Sequence, residues 1–100
     1  MRDGIAIAEG LSNEDWNYSA PHGSGRVMSR TAARRNLTMT GFKKEMQGVY
    51  STCITPDTLD ESPSAYKPTE SILEAVSPTC RILYILKSKI NLKATNNDNL

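Results

Sequence analysis

The run RILYILK, Arg81–Lys87, constrains the fold of this chain more than any other stretch. Its inner residues are β-branched, aromatic or aliphatic, and all of them suit a strand. Successive strand side chains point to opposite faces, so this strand offers apolar groups on both. A strand of that kind belongs in the centre of a sheet with both faces covered. The chain has 100 residues, of which 38% are hydrophobic. It can bury only a modest core. The other strand candidates are short: GIAIAEG, which alternates and ends at Gly10, VYSTCI, and KINLKA. A central strand with so few partners predicts an α+β unit of mixed strands and short helices that is incomplete alone.

Three helices are expected. Ser29 can cap a short one over RTAARRN, which Asn36 can close. A second covers TGFKKEMQ, with Phe42 and Met46 at i, i+4 on one face and Gly48 as its stop. The third is TESILEAV, with Thr69 as its cap, Ile72, Leu73 and Val76 facing inward, and Pro78 ending it. The segments LSNEDWNYSAPHGSG and TPDTLDESPSAYKPTE read as loops. Three prolines among Asp and Ser residues leave no regular element in the second. Residues 95–100, TNNDNL, read as a disordered tail. Long loops need a surface to rest on, and the chain reads as the last part of a larger protein.

A formal net charge of +1 says nothing about partners, but its distribution does. From Arg26 to Lys44 there are six basic residues and no acid. Such a field suits a polyanion, and a solvated helix face has the same composition. Cys53 and Cys80 are far apart with no CxxC spacing. The N-terminus lacks the basic and apolar regions of a signal peptide, and no stretch is apolar enough to cross a membrane. The expectation is a reducing, cytoplasmic setting with two free thiols.

The one histidine, His22, stands in the stretch APHGSGR. A neutral imidazole has a free lone pair and can attack phosphorus. Its other nitrogen must be held by an acceptor, or the wrong tautomer faces the substrate. A phosphoryl group in transfer needs donors on its oxygens. Backbone N–H groups supply them where no side chain blocks the approach, which suits Gly23 and Gly25. Arg26 and Arg30 can chelate phosphate with forked N–H pairs. If helical, the two share a face. The ordinary alternative is a histidine in a surface turn.

The stretch MRDGIAIAEG…NEDWNYSAPHGSGRVMSRTAARR closely resembles the signature segment of the RtcB family, the 3′-phosphate/5′-hydroxy nucleic acid ligases that join RNA ends. The similarity continues through FKKEMQGVYST, TLDESPSAYKP, SILEAV and INLKA, from Met1 to Ala94. The resemblance implies the C-terminal portion of the RtcB-type ligase fold, with residues 1–94 carrying the guanylylation loop. It implies that His22 becomes covalently guanylylated by GTP, with Gly23, Ser24 and Gly25 around the bound GMP. The family often has Ala at the position of Ser24, a small change. Arg26 and Arg30 match arginines placed for RNA or nucleotide phosphate, and Lys93 matches a lysine that contacts the guanine nucleotide. Without the family, Lys93 reads as a strand lysine reaching to solvent. Ile5 stands where the family often has Ser near its GMP site, so one hydrogen bond is lost there.

The resemblance also implies manganese, held in the family by a cysteine, an aspartate and several histidines. This chain has one histidine, already assigned. Asp3, Glu14, Asp15, Cys53 and Cys80 match no ligand set, so the metal ligands are expected outside this chain. The implied partners are RNA ends with 3′-phosphate (or 2′,3′-cyclic phosphate) and 5′-hydroxyl groups, GTP, and the N-terminal part of the ligase. RNA repair, tRNA splicing and RNA recycling all fit, and the fragment is expected to be inactive alone. The alternative is a non-catalytic phosphate- or RNA-binding remnant, or a complementing piece of a split ligase. There Arg34, Arg35, Lys43 and Lys44 would carry salt-sensitive binding.

Overall fold

A computed structural model describes residues 1–94, and the expected tail lies outside the described residues. Helix α1 spans Arg30–Asn36. The hydroxyl of its N-cap, Ser29, accepts the Ala32 N–H at 3.1 Å, which stabilises such a helix by about 1 kcal/mol. Arg34 and Arg35 lie in the last turn, where the helix dipole favours cations. Helix α2, Met39–Glu45, begins one residue before the expected start because Thr38 caps it, accepting the Gly41 N–H at 3.1 Å. Phe42 and Met46 are each 1% exposed, and burying such side chains contributes about 2 kcal/mol apiece. Gly48, at φ +91°, turns the chain away.

The largest departure from expectation is the proline-rich stretch. It folds into two 3-10 turns, Pro56–Glu61 and Pro63–Ala65. Pro56 and Pro63 stand at the starts of these turns, where a missing N–H costs nothing. Thr58 caps locally, accepting the Thr55 N–H at 3.3 Å and donating to the Cys53 carbonyl. Prolines that exclude an α-helix or a central strand thus permit this tighter turn. The stretch is also the floor of the core. Thr58, Asp60, Ser62, Pro63 and Ala65 are buried, with α1 against the first turn and α2 against both. Ala33, Phe42, Met46 and Ala65 form the apolar core among the described residues. A further 3-10 turn, Glu14–Trp16, forms in the other expected loop, and Asn13 ties it to the Pro78 carbonyl at 2.8 Å.

Strands β1 (Ile5–Gly10) and β2 (Cys80–Leu86) pair antiparallel, Ile5 opposite Leu86 and Gly10 opposite Cys80, with an irregularity between Ile7 and Ala8. Gly4 enters β1 at φ +83°, and a Cβ there would lie 1.9 Å from the Leu86 carbonyl oxygen. The expected central position of β2 is not realised: its one neighbour among the described residues is β1. Leu83, Tyr84, Ile85 and Leu86 remain exposed as a result. VYSTCI and KINLKA do not form strands. Tyr50 and Ile90 make a single parallel bridge instead. Alternation along KINLKA would turn Ile90 and Leu92 towards a core and Asn91 and Lys93 the other way, but Ile90 and Leu92 point outward while Asn91 and Lys93 are half-buried. Lys93 has partners in Cys53 and Glu61, and nothing among the described residues covers the apolar side.

Helix α3, Thr69–Ala75, has Pro68 at its N-cap rather than Thr69. Thr69 is its first residue, and its hydroxyl donates to Asp3 at 2.7 Å. Ile72, Leu73 and Val76 are half-buried and face the ribbon across a cavity instead of packing into the core. The molecule exposes 7260 Å². A compact monomer of this mass exposes roughly 5600 Å². Hydrogen exchange on the full chain should show the Phe42 and Met46 amides about tenfold or more slower than those of β2. Equal protection would mean that the ribbon is covered after all.

Candidate functional site

Two backbone hydrogen bonds place the histidine loop. Val27 N–H donates to Ala65 O, and Lys67 N–H donates to Gly25 O, both at 3.0 Å. Arg26 and Tyr66 are thereby paired across an antiparallel bridge. Gly25 sits at φ +70°, a conformation side chains disfavour, so the turn requires glycine there. Gly23 has no such constraint and faces open space. His22, Gly23 and Ser24 rim a cavity of about 290 Å³ between the ribbon and α3, floored by Ile5, Ile72 and Ile82. His22 is exposed.

The cationic residues gather elsewhere, on the buried 3-10 segment. Arg26 donates from Nε to Met28 O at 3.1 Å and from Nη2 to Asp60 O at 2.6 Å. Its guanidinium lies 5.0 Å from the Tyr66 ring centroid, a cation–π contact. Its Nη1 is buried without a partner among the described residues. Arg26 precedes α1, so it does not share a helical face with Arg30 as expected. The i, i+4 pair that does is Arg30 and Arg34. They reach the same Asp60 oxygen at 3.2 and 3.4 Å.

Glu61 joins this set to Lys93. Arg30 Nη1 lies 2.5 Å from its Oε1, Lys93 Nζ lies 3.6 Å from its Oε2, and the Tyr66 hydroxyl donates to the same Oε2. Burial pushes the Glu61 carboxyl up. The hydrogen bonds from Tyr66 and Arg30 and the charges of Lys93 and Arg30 outweigh that and hold it down to about 2. For Tyr66, burial and then the bond to Glu61 push the phenol up. Lys93 is anchored by its backbone: its N–H donates to Cys53 Sγ, and Cys53 Sγ donates to its carbonyl, both at 3.3 Å.

Of the residues singled out by sequence, Arg30 and Lys93 therefore meet on one carboxylate, and Arg26 stands beside them on Tyr66. His22, Gly23 and Ser24 form a separate group at the cavity rim. Asp60, Glu61 and Tyr66 carried no expected role. Their signal was an acid-free basic run, Arg26–Lys44, in a chain whose acids Asp57, Asp60 and Glu61 fall together. Among the described residues, no three His, Cys, Asp or Glu side chains stand close enough to hold a metal ion. Asp60 and Glu61 are occupied by arginines, so this donor set does not fit a divalent cation.

The family described as tRNA-splicing ligase RtcB matches residues 1–94. This chain belongs to the RtcB family. It is 32% identical over 87 residues to the RNA-splicing ligase RtcB of Escherichia coli strain K12, covering 87% of this chain and 21% of that protein. The tRNA-splicing ligase RtcB of Archaeoglobus fulgidus is 41% identical over 75 residues, 72% of this chain and 16% of that one. That of Aeropyrum pernix is 35% identical over 71 residues, 68% of this chain and 14% of that one. The chain thus spans about a fifth or less of the length of these RtcB relatives. No solved structure matches it. The α+β architecture is that of a partial RtcB fold. Among the described residues, no helix is long and apolar enough to cross a membrane.

Glu61 sets an acid limb to stability. Its carboxyl lies below the ordinary value of 4.5, so its contribution is complete above that pH and is lost as pH falls towards 2. In thermal melts, Glu61→Gln should lower Tm at pH 7 and flatten the fall in Tm between about pH 5 and pH 2. A variant that keeps the full acid fall would mean that Glu61 is not held by these cations in solution.

Proposed function

We propose that this chain is the nucleotide-accepting portion of an RNA ligase and works together with a further, N-terminal part of the same fold. His22 attacks the α-phosphorus of GTP, a P–N bond forms, and pyrophosphate leaves. An RNA 3′-phosphate oxygen then attacks that phosphorus and takes the GMP, freeing His22. The 5′-hydroxyl of a second RNA attacks the activated 3′-phosphate, GMP leaves, and a phosphodiester closes. A 2′,3′-cyclic phosphate end is first opened to the 3′-phosphate. Manganese, which the family implies, would supply charge neutralisation at the phosphates from ligands outside this chain.

One observation carries this reading. The exposed His22 stands on a loop whose far end is bridged to the segment that holds Arg26, Arg30 and Lys93. His22 supplies the nucleophile, Gly23, Ser24 and Gly25 a backbone that a phosphate can approach, and the arginines charge for phosphate oxygens. Lys93 meets the nucleotide. The exposed ribbon and the outward Ile90 and Leu92 are the surface for the N-terminal part. Two free thiols suit a reducing, cytoplasmic setting.

The second reading is a non-catalytic RNA-binding piece. It is favoured by the lack of a metal-donor cluster among the described residues and by the exposed Arg35, Lys43 and Lys44. Both readings meet one experiment. The full chain is combined with the N-terminal four-fifths of the Escherichia coli relative, GTP labelled at the α-phosphate, and manganese. An acid-labile label should appear on this chain and vanish in His22→Ala. Lys93→Met should raise the GTP needed for half-maximal labelling about tenfold without lowering the plateau. A label that survives His22→Ala overturns the assignment, and RNA binding with no label at all supports the second reading.

A further inference from the structure

We propose that Cys53 is a positioning residue for the guanine nucleotide: its thiol fixes the backbone of Lys93 and thereby the place of the lysine ammonium. This rests on the reading above that Lys93 meets the nucleotide. Lys93 needs such support, because the chain around it forms no regular element. The Tyr50 N–H donates to Lys89 O at 2.8 Å and the Asn91 N–H to Tyr50 O at 2.9 Å, the two bonds of a parallel bridge. In a continued ladder, the Lys93 N–H would donate to the Thr52 carbonyl. The chain bends at Thr52 instead, and Ser51 Oγ takes the Cys53 N–H at 3.1 Å. The Lys93 N–H turns to Cys53 Sγ at 3.3 Å, and the thiol donates to the Lys93 carbonyl at 3.3 Å. A side chain thus replaces the rung that the backbone does not supply.

Only a group that both donates and accepts can do this, since one atom serves an N–H and a carbonyl together. Cys53 is itself fixed. Its carbonyl accepts the hydroxyl of Thr58, inside the 3-10 turn Pro56–Glu61. The last residue of that turn, Glu61, stands 3.6 Å from Lys93 Nζ. Residues 53–61 therefore hold both ends of Lys93, the backbone through sulfur and the ammonium through a carboxylate. The two holds differ in kind. The carboxylate contact is long and the lysine side chain is 36% exposed, so the ammonium can leave it for a nucleotide. The sulfur contacts run from a half-buried cysteine to backbone, and they persist when the ammonium moves. Without them the flexible lysine stem hangs from an unfixed backbone, and GTP binding must order both.

The experiment follows protein labelling by GTP labelled at the α-phosphate, with the full chain combined with the N-terminal four-fifths of the Escherichia coli relative and manganese. Cys53→Ala should raise the GTP needed for half-maximal labelling about fivefold and leave the plateau unchanged. Cys53→Ser, whose hydroxyl also donates and accepts, should return it to within about twofold of wild type. Cys53→Val fills the site without a polar atom. It should behave as Cys53→Ala does, and it decides the matter if the alanine variant fails to fold. In a Lys93→Met background, Cys53→Ala should add less than about twofold, because the thiol acts through Lys93. A serine variant as weak as the alanine one, a valine variant as good as wild type, or the whole loss added again on top of Lys93→Met makes the thiol a packing group and overturns the proposal. A fall in plateau with no change in the GTP requirement overturns it too. If Lys93→Met raises the GTP requirement and Cys53→Ala does not, Lys93 meets the nucleotide and only the role of Cys53 falls. If the wild-type protein takes no label, the reading on which this rests falls, and the inference falls with it.

Discussion

Asp60 is a buried carboxylate, and a buried charge is costly unless it is paired. One carboxylate oxygen, Oδ2, and its backbone carbonyl answer three arginines from the other side of the chain: Arg30 and Arg34 from α1, and Arg26 from the histidine loop. The two helices α1 and α2 and the anchor of the histidine loop are arranged around that demand. The 3-10 turn that carries Asp60 becomes the floor on which α1 and α2 rest. The strip from Ala65 to Lys67 that follows becomes the edge that pairs with Gly25–Val27. The histidine loop is thus attached to a charged interior rather than to an apolar one.

That interior is small, and its weight is uneven. Phe42 and Met46 close one side, while the ribbon of β1 and β2 contributes no residue buried as fully as these. Two strands alone give marginal stability in water, because neither face gains enough burial to offset chain entropy. The ribbon keeps its apolar residues on both faces all the same. This is the composition of a strand pair built to be covered, in a chain that spans about a fifth of the Escherichia coli relative's length.

The legible parts were those that local chemistry decides. Ser29 reads as a cap and is one, because a hydroxyl ahead of a run of helix formers satisfies an otherwise free N–H. Phe42 and Met46 read as a buried pair and are one. The strand identity of β1 and β2 followed from alternation and branching. The proline-rich stretch failed as an expectation because proline excludes familiar elements without excluding a 3-10 turn, and because burial there rests on distant arginines. KINLKA failed because facing is set by what lies opposite. Cys53 and Glu61 hold Lys93 inward, the Asn91 N–H donates to the Tyr50 carbonyl, and no apolar surface among the described residues draws Ile90 and Leu92.

By itself the sequence determined the single-histidine loop, the capped short helices, the apolar ribbon and membership of the RtcB family. Each of these depends on neighbours within a few residues or on motif order along the chain. Only the tertiary structure decided that Arg26 leaves the helix, that Arg30 pairs with Arg34 rather than with Arg26, and that Arg30 and Lys93, 63 positions apart, share the carboxylate of Glu61. Pairing of charges across such separations depends on which side chains burial brings within about 4 Å, and no local propensity encodes that distance.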